Sequence, residues 1–216
     1  MKDYSAFVLW FNSGFVTFSA LMFFVISPGV QAGMIDKKGM KPWEICGLCH
    51  NLNGISRMEK FPKLAGQKAI YIEKQLLDFK RGYRSNDGGQ MEAIVTEVDE
   101  ENIPLIAKYF SGLEVPAPVI TDISDETFRK ANQLFLKGDK GREIPACSGC
   151  HVKSNKEYNS APFLTAQHAS YLEKQLLNFK DKTRGNDKNE IMQNIAAKLS
   201  AEDIKGLAQF IAQQKR

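Results

Sequence analysis

The chain has 216 residues and a formal net charge of +4, with 25% charged and 43% hydrophobic residues. The positive excess lies in the second half, from Ala117 onward, and is too small for the basic stripe of a nucleic-acid-binding protein. This composition predicts one medium or two small globular domains and no nucleic acid as partner.

The N-terminal 32 residues have the pattern of an export signal. An apolar run from Ala6 to Ile26 is followed by Val30-Gln31-Ala32, which fits the small residues at a signal-peptidase site. No charged residue lies between Asp3 and Asp36. Residues 1–32 are therefore predicted to be a signal peptide. The run is also long enough to cross a bilayer of about 30 Å, so an uncleaved anchor is the alternative, and either reading puts the remaining chain outside the cytoplasm.

All four cysteines lie in two C-x-x-C-H motifs, Cys46-Gly47-Leu48-Cys49-His50 and Cys147-Ser148-Gly149-Cys150-His151. This is the signature of covalent haem attachment, because two thiols one helical turn apart can add to the two vinyl groups of one porphyrin. The adjoining histidine then lies under the iron. A four-thiolate zinc site would not need a histidine after each pair, and a thioredoxin-like redox pair would not need duplication. Two covalently bound haem c groups are predicted.

A ten-residue segment returns 100 positions later, as YIEKQLLDFK at Tyr71 and YLEKQLLNFK at Tyr171. The first cysteines of the two motifs are 101 positions apart. Such self-similarity indicates a duplicated unit. Apolar residues lie at helical spacing in both copies, so each unit is predicted to be helical. They are Ile72, Leu76 and Phe79 in the first copy and Leu172, Leu176 and Phe179 in the second. These side chains, with Tyr71 and Tyr171, are expected to serve mainly as packing residues.

The repeat predicts an all-α chain, because no alternating run is long enough for a sheet. The first domain is predicted over residues 33–113 and the second over residues 124–216. The linker, residues 114–123, contains two prolines and is expected to be extended. A leading helix is predicted from Ser124 to Lys137, and Pro104 is expected to delay the last helix of the first domain to about Asn102.

Two methionines are candidate iron ligands. Met91 and Met192 each lie 41 residues after their motif histidine. A buried methionine is usually a packing residue, but the equal spacing predicts that these two bind the sixth positions. Thioether ligation raises the reduction potential and suits electron transfer, so no catalytic residue is expected. His168, the histidine outside the motifs, is assigned to a surface or helix-cap role.

Two segments resemble cytochrome c4. They are IPACSGCH, which begins at Ile144, and FPKLAGQ, which begins at Phe61 and is followed by the first copy of the repeat. The similarity covers nearly all of the chain after the signal. It implies two tandem class I cytochrome c domains related by a pseudo-twofold axis, with haems that face each other.

The same resemblance implies which residues bind iron and which orient them. In that family each haem iron is bound by one histidine and one methionine, and the matching residues here are His50 with Met91 and His151 with Met192. The proline whose carbonyl orients each imidazole corresponds to Pro62 and Pro162. One departure is Ala166, which stands where the family has a glycine and the first unit has Gly66.

The resemblance further implies a periplasmic protein that shuttles electrons from a quinol-oxidising complex to a terminal oxidase. The alternative is a cytochrome subunit of a larger oxidoreductase, such as flavocytochrome c sulfide dehydrogenase, because docking surfaces have no motif. A haem enzyme or gas sensor needs an open iron position and is disfavoured. An acidic redox partner is expected to dock on the basic second half, whose candidate residues are Lys153, Lys156, Lys180, Lys182, Arg184 and Lys188.

Overall fold

Helices make up the regular structure. A computed structural model describes residues 35–120, 122–152 and 159–216. Its helices are α1 Glu44–His50, α2 Ala69–Lys80, α3 Gln90–Thr96, α4 Ile103–Ser111, α5 Asp125–Lys137, α6 Ser148–His151, α7 Ala169–Lys180, α8 Ile191–Ala197 and α9 Ala201–Ala212. Short 3₁₀ turns, Glu100–Asn102 and Lys188–Glu190, precede α4 and α8. In these ranges the only extended pairing is an isolated bridge between Asp139 and Ile144, so the all-α prediction is confirmed.

The predicted signal peptide lies outside the described residues, as do Lys153 and Lys156. Across the three described ranges, no helix combines the length and the apolar character needed to cross a membrane.

The two copies of the repeat form matching helices. α2 and α7 each have 12 residues, and each ends at the lysine of its repeat segment. α2 packs against α4, and α7 packs against α9 in the same way. α3 and α8 each have seven residues and follow the repeated helix at intervals that differ by one residue, since α2 ends at Lys80 before Gln90 and α7 ends at Lys180 before Ile191. The duplication predicted from the sequence is therefore present in the fold.

Each half has its own apolar core, built on one face of its last helix. Residues at i, i+3, i+4 and i+7 share a helical face, and these positions are buried in both helices. They are Ile103, Ile106, Ala107 and Phe110 in α4, and Ile204, Leu207, Ala208 and Ile211 in α9. The opposing helices contribute Ile72, Leu76 and Phe79 to the first core and Leu172 to the second.

The starts of the predicted helices follow from local chemistry. α4 begins at Ile103, so Pro104 lies in the first turn, where its missing N–H has no helical acceptor to lose. α5 is capped by Ser124, as expected from its sequence. α9 has a capping box: the Ser200 hydroxyl accepts from the Asp203 N–H at 3.0 Å, and the Asp203 carboxylate accepts from the Ser200 N–H at 2.9 Å.

The connection between the halves has no helix over residues 114–120 and 122–124. The N–H of Val119 donates to the carbonyl of Ala212 at 3.0 Å, which fastens this segment to the end of α9. The described residues form one compact unit, so the halves pack directly on each other. The limits 33–113, 114–123 and 124–216 stay a prediction.

Reciprocal hydrogen bonds relate the halves by a pseudo-twofold axis. Arg84 Nη2 donates to the Tyr171 hydroxyl at 3.2 Å, and Arg184 Nη2 donates to the Tyr71 hydroxyl at 3.2 Å. These tyrosines were expected to serve mainly in packing, and each phenol oxygen in addition accepts a hydrogen bond across the junction. A bond repeated in both directions holds the two copies in one relative orientation.

Candidate functional site

A large cavity lies where the two halves meet. Its volume is about 720 Å³. The predicted site residues that line it are Cys46, Cys49, His50, Met91, Cys147, Cys150, His151 and Met192. Both repeated helices, α2 and α7, contribute to its apolar walls, through Ile72, Leu76, Phe79, Leu172, Leu176 and Phe179. The structure thus brings every sequence-predicted site residue to one space.

The motif cysteines are held by short helices. Cys46, Cys49 and His50 lie at i, i+3 and i+4 on α1, on one side of a helical turn. Burial raises the pKa of the Cys46 thiol to about 12 and that of Cys147 to about 11, so both sulfurs stay neutral. Reactive redox cysteines and zinc ligands need the thiolate. Among the described residues, no three His, Cys, Asp or Glu side chains are grouped so that they could hold a metal ion.

Each motif histidine is oriented by a proline carbonyl. His50 Nδ1 donates to the carbonyl of Pro62 at 2.8 Å, and His151 Nδ1 donates to that of Pro162 at 2.8 Å. These bonds leave Nε2 of each ring with its lone pair available for iron. Burial lowers the pKa of both imidazoles, which favours the neutral ring that binds a metal. The geometry fits a haem on each motif.

The two candidate methionines occupy equivalent positions. Met91 is the second residue of α3, and Met192 is the second residue of α8. An aspartate fixes each backbone: Asp87 accepts from the Met91 N–H, and Asp187 accepts from the Met192 N–H at 2.6 Å. Met58, in contrast, is 52% exposed. Among the described residues, Met91 and Met192 therefore have the matched placement that two equivalent iron sites require.

A polar network lines the cavity beside the apolar walls. The side-chain oxygen of Gln175 accepts from Arg84 Nη2 at 3.1 Å and from Arg184 Nη1 at 2.8 Å, and Gln75 accepts from the same two arginines. The assignment of Arg184 to a docking surface is wrong, because it is 6% exposed at this junction. Buried guanidinium groups suit the anionic propionates of a porphyrin, which is a further point of fit.

The surface role predicted for His168 is also wrong. The residue is 8% exposed, and its Nε2 lies 2.9 Å from the hydroxyl and 3.1 Å from the carbonyl of Ser56, in the other half. It occupies the N-cap position of α7, but its side chain makes no capping bond. Burial and the nearby charge of Lys63 lower its pKa, so the ring is neutral at pH 7.

The other described docking candidates, Lys180, Lys182 and Lys188, are all exposed but differ in their contacts. Lys180 Nζ donates to the carbonyl of Leu199, which gives this lysine a structural contact within the second half. Lys182 and Lys188 are exposed. Of the six residues proposed from the sequence, Lys180, Lys182 and Lys188 are therefore the described ones at the surface.

Two glutamines at the junction were missed by the sequence analysis. Gln67 and Gln167 are buried, and each binds the backbone of the opposite half. A signal for them was present, because they lie 100 positions apart, the interval of the repeated helix. A polar side chain kept in both copies beside the motif region is a candidate contact between copies.

The chain is similar to known c-type cytochromes. The family model described as cytochrome c matches residues 129–215. Cytochrome c4 of Pseudomonas aeruginosa is 37% identical over 171 residues, which cover 77% of this chain and 82% of that protein. The thiosulfate dehydrogenase electron acceptor of Stutzerimonas stutzeri is 31% identical and shares 77% of each chain. The crystal structure of reduced recombinant cytochrome c4 from Pseudomonas stutzeri matches with a TM-score of 0.70 at 32% identity, over 79% of this chain and 94% of that one.

Proposed function

Because the chain belongs to the cytochrome c4 family, we propose that it is a periplasmic carrier that passes electrons from a quinol-oxidising complex to a terminal oxidase. Membership makes it an electron-transfer protein with two covalent haem c groups in tandem class I cytochrome c domains. Its partners are accordingly redox proteins.

In this proposal each motif and its methionine hold one haem. The thiols of Cys46, Cys49, Cys147 and Cys150 form the thioethers, and the axial ligands are His50 with Met91 and His151 with Met192. The proline carbonyls on the two Nδ1 atoms and the matched placement of the methionines support this assignment. Haem, when bound by these residues, would supply a reversible one-electron couple.

The observation that carries the proposal is the shared cavity. Both motif histidines and both methionines line it, so an electron can pass between the two sites without crossing solvent. Apolar side chains of α2 and α7 line the cavity and would limit the access of water to a haem bound there, and solvent access is one of the factors that set a reduction potential. The Nδ1–H of His50 and of His151 stays on its proline carbonyl, so neither ring needs to move a proton.

The direct test is electron delivery through purified protein. Stopped-flow mixing with a quinol-oxidising complex and quinol should reduce the haems, and a terminal oxidase should then oxidise them. Surface charges are screened beyond about 8 to 10 Å at physiological salt, so both rates should fall as salt rises. Reduction no faster than in the absence of the complex would contradict the proposal.

The docking surface can be tested within the same assay. Reversing the charge of exposed Lys182 and Lys188 together should slow association with an acidic partner, because steering acts mainly on the association rate. A matched control reverses Lys137 and Lys205, two exposed lysines on α5 and α9. Equal slowing by both pairs would show an effect of net charge alone and no localised docking site.

A second candidate function is favoured by the names of two relatives. The thiosulfate dehydrogenase electron acceptors of Stutzerimonas stutzeri and Thiomonas intermedia are 31% and 29% identical to this chain. Within the class of larger oxidoreductases, these names favour a thiosulfate-oxidising enzyme over the sulfide dehydrogenase considered from the sequence. Thiosulfate with such an enzyme should then reduce the haems with a higher kcat/KM than the quinol-oxidising complex does.

A further inference from the structure

Each candidate methionine is preceded by a loop that contacts the opposite half of the chain. The first methionine loop is residues 86–91, and the second methionine loop is residues 186–192. Asn86 Nδ2 donates to Gln175 Oε1 at 3.0 Å, and Asn186 Nδ2 donates to Gln75 Oε1 at 3.1 Å. The next residue in both loops is an aspartate that accepts from the backbone N–H of the methionine. The junction is therefore connected to each methionine through two adjoining side chains.

The backbones of the two methionine loops differ. In the first loop two glycines, Gly88 and Gly89, have φ of 78° and 82°. In the second loop Asn189 and Glu190 both have φ of 55°. A residue with a Cβ is strained in this left-handed region, whereas glycine adopts it readily. Strained backbone persists only where surrounding contacts hold it, so the second loop needs more support than the first.

Helix α2 supplies this support from the first half. Lys74 Nζ donates to the Asn186 carbonyl at 2.6 Å and also pairs with Asp78. The Asp78 carboxylate, in a residue that is 9% exposed, accepts from Asn186 Nδ2. Hydrogen bonds of charged groups are the strong ones, so this ion pair holds both the backbone and the side chain of Asn186. The neighbouring Asp187 accepts from the Met192 N–H at 2.6 Å, which connects the ion pair to the methionine.

Helix α7 gives the first methionine loop a weaker contact. Asn178 stands at the position of Asp78, and its amide donates to the Asn86 carbonyl at 3.5 Å, the limit for a hydrogen bond. Lys174, the counterpart of Lys74, is exposed and makes no hydrogen bond to the first loop within the described ranges. The strained loop therefore has the charged support, and the glycine loop has the weak one.

We propose that Lys74 and Asp78 of the first half are positioning residues that keep Met192 on the iron of the second haem. This inference rests on the ligand assignment made under the proposed function. Without the ion pair, the strain at Asn189 and Glu190 favours an open loop, in which an external nitrogen ligand can replace the methionine. In that exchange the bond from sulfur to iron breaks and a bond from nitrogen to iron forms, and no electron or proton is transferred.

The expected size of the effect follows from the hydrogen bonds that are lost. A hydrogen bond to a charged group changes an equilibrium constant by roughly tenfold or more. Water partly replaces it here, because the Lys74 side chain is 35% exposed. Gln193 also supports Asp187, through its N–H at 3.1 Å and its side-chain amide at 3.0 Å, so part of the support remains. Loss of the ion pair should therefore raise the affinity of the second haem for an external ligand by about threefold to tenfold.

The test is imidazole binding to the ferric dihaem protein in three forms. The native chain is compared with Lys74→Met and with Lys174→Met, which removes the same charge from the corresponding position of α7. Loss of the methionine-to-iron charge-transfer absorption follows the exchange, and NMR of the haem methyl groups shows at which haem it occurs. Lys74→Met should raise the imidazole affinity of the second haem by about threefold to tenfold, with less than about a twofold change at the first. Lys174→Met should change both affinities by less than about twofold.

The inference is overturned if Lys74→Met leaves imidazole binding at the second haem unchanged or raises it equally at both haems, as a generally loosened junction would. Should that variant not accumulate as dihaem protein, Asp78→Asn, which gives α2 the side chain that α7 has at this position, carries the same test. It should raise the imidazole affinity of the second haem by about twofold or more, and no rise there overturns the inference as well. Because the measurement needs no redox partner, a Lys74-dependent affinity in a protein that the quinol-oxidising complex cannot reduce would contradict the proposed function and support this inference.

Discussion

Gln67 binds both backbone groups of Phe163, which lies in the other half of the chain. Its Nε2 donates to the Phe163 carbonyl at 2.9 Å, and its Oε1 accepts from the Phe163 N–H at 2.9 Å. Gln167 makes the same two bonds with the backbone of Lys63, each at 2.9 Å. These side chains satisfy backbone groups of segments that have no strand to pair with. Because Phe163 follows Pro162, the contact also fixes the loop that orients His151.

Replacing Gln67 should therefore weaken the junction. Gln67→Ala removes three hydrogen bonds, two with the Phe163 backbone and one from the Lys68 N–H. Backbone groups in the junction lose their partners, so the free energy of unfolding should fall by about 2–3 kcal/mol. Guanidinium denaturation of the dihaem protein measures the change. Gln133→Ala, at an exposed position on α5, is the control and should stay within about 0.5 kcal/mol. Similar losses in both variants would contradict a special role for Gln67.

The proposed ligand Met192 can be tested by spectroscopy. Met192→Ala should remove the methionine-to-iron charge-transfer absorption of one ferric haem, about half of the total intensity, and should lower the potential of that haem because thioether ligation raises it. Covalent attachment through Cys147 and Cys150 should persist. Met58→Ala, at an exposed methionine, should leave the absorption unchanged. Full intensity in the Met192 variant would exclude this residue as a ligand.

Haem attachment should be required for the first half to fold. A domain of this size buries only a modest apolar core. Without covalent haem, the apolar side chains that line the cavity would lose their packing partner, and the domain would lose much of its stability. Cys46→Ala with Cys49→Ala should make amide hydrogen exchange fast throughout α2, α3 and α4. Exchange in α9 should stay slower, because the second motif remains intact. Native-like protection of α2 to α4 without bound haem would refute the dependence.

The buried histidine at the junction predicts a pH dependence of stability. Burial lowers the pKa of His168 from its ordinary value of 6.5. As pH falls below that value, the unfolded chain binds a proton that the folded chain does not, so the free energy of unfolding should fall, and the loss should stop below the folded pKa. Above about pH 7, the residue should contribute no pH dependence.

Denaturation at several pH values between about 7.5 and 5 measures this effect. His168→Gln keeps a polar group beside Ser56 but cannot titrate, so its stability should depend less on pH over this interval. The motif histidines do not contribute in the same way if they are bound to iron. An unchanged slope in the His168 variant would assign the pH dependence to other groups.

Local patterns in the sequence determined the fold class, the duplication and the chemistry of the motifs. The apolar spacing in α2, α4, α7 and α9, and the C-x-x-C-H spacing on α1 and α6, act within one or two helical turns, so they can be interpreted without knowing the fold. The starts of α4 and α9 were predictable for the same reason, since capping and proline effects are local.

Only the tertiary structure decided the roles of residues at the junction. Arg184, His168, Tyr71 and Lys68 have polar side chains whose spacing is compatible with an exposed helix face, yet each is wholly or largely buried against the other half. Their burial depends on contacts between positions roughly 100 residues apart, and no local pattern carries that information. Duplication shows that two sites are equivalent in sequence, but their different contacts arise only when each half packs its unlike side chains, Asp78 and Asn178, against the other.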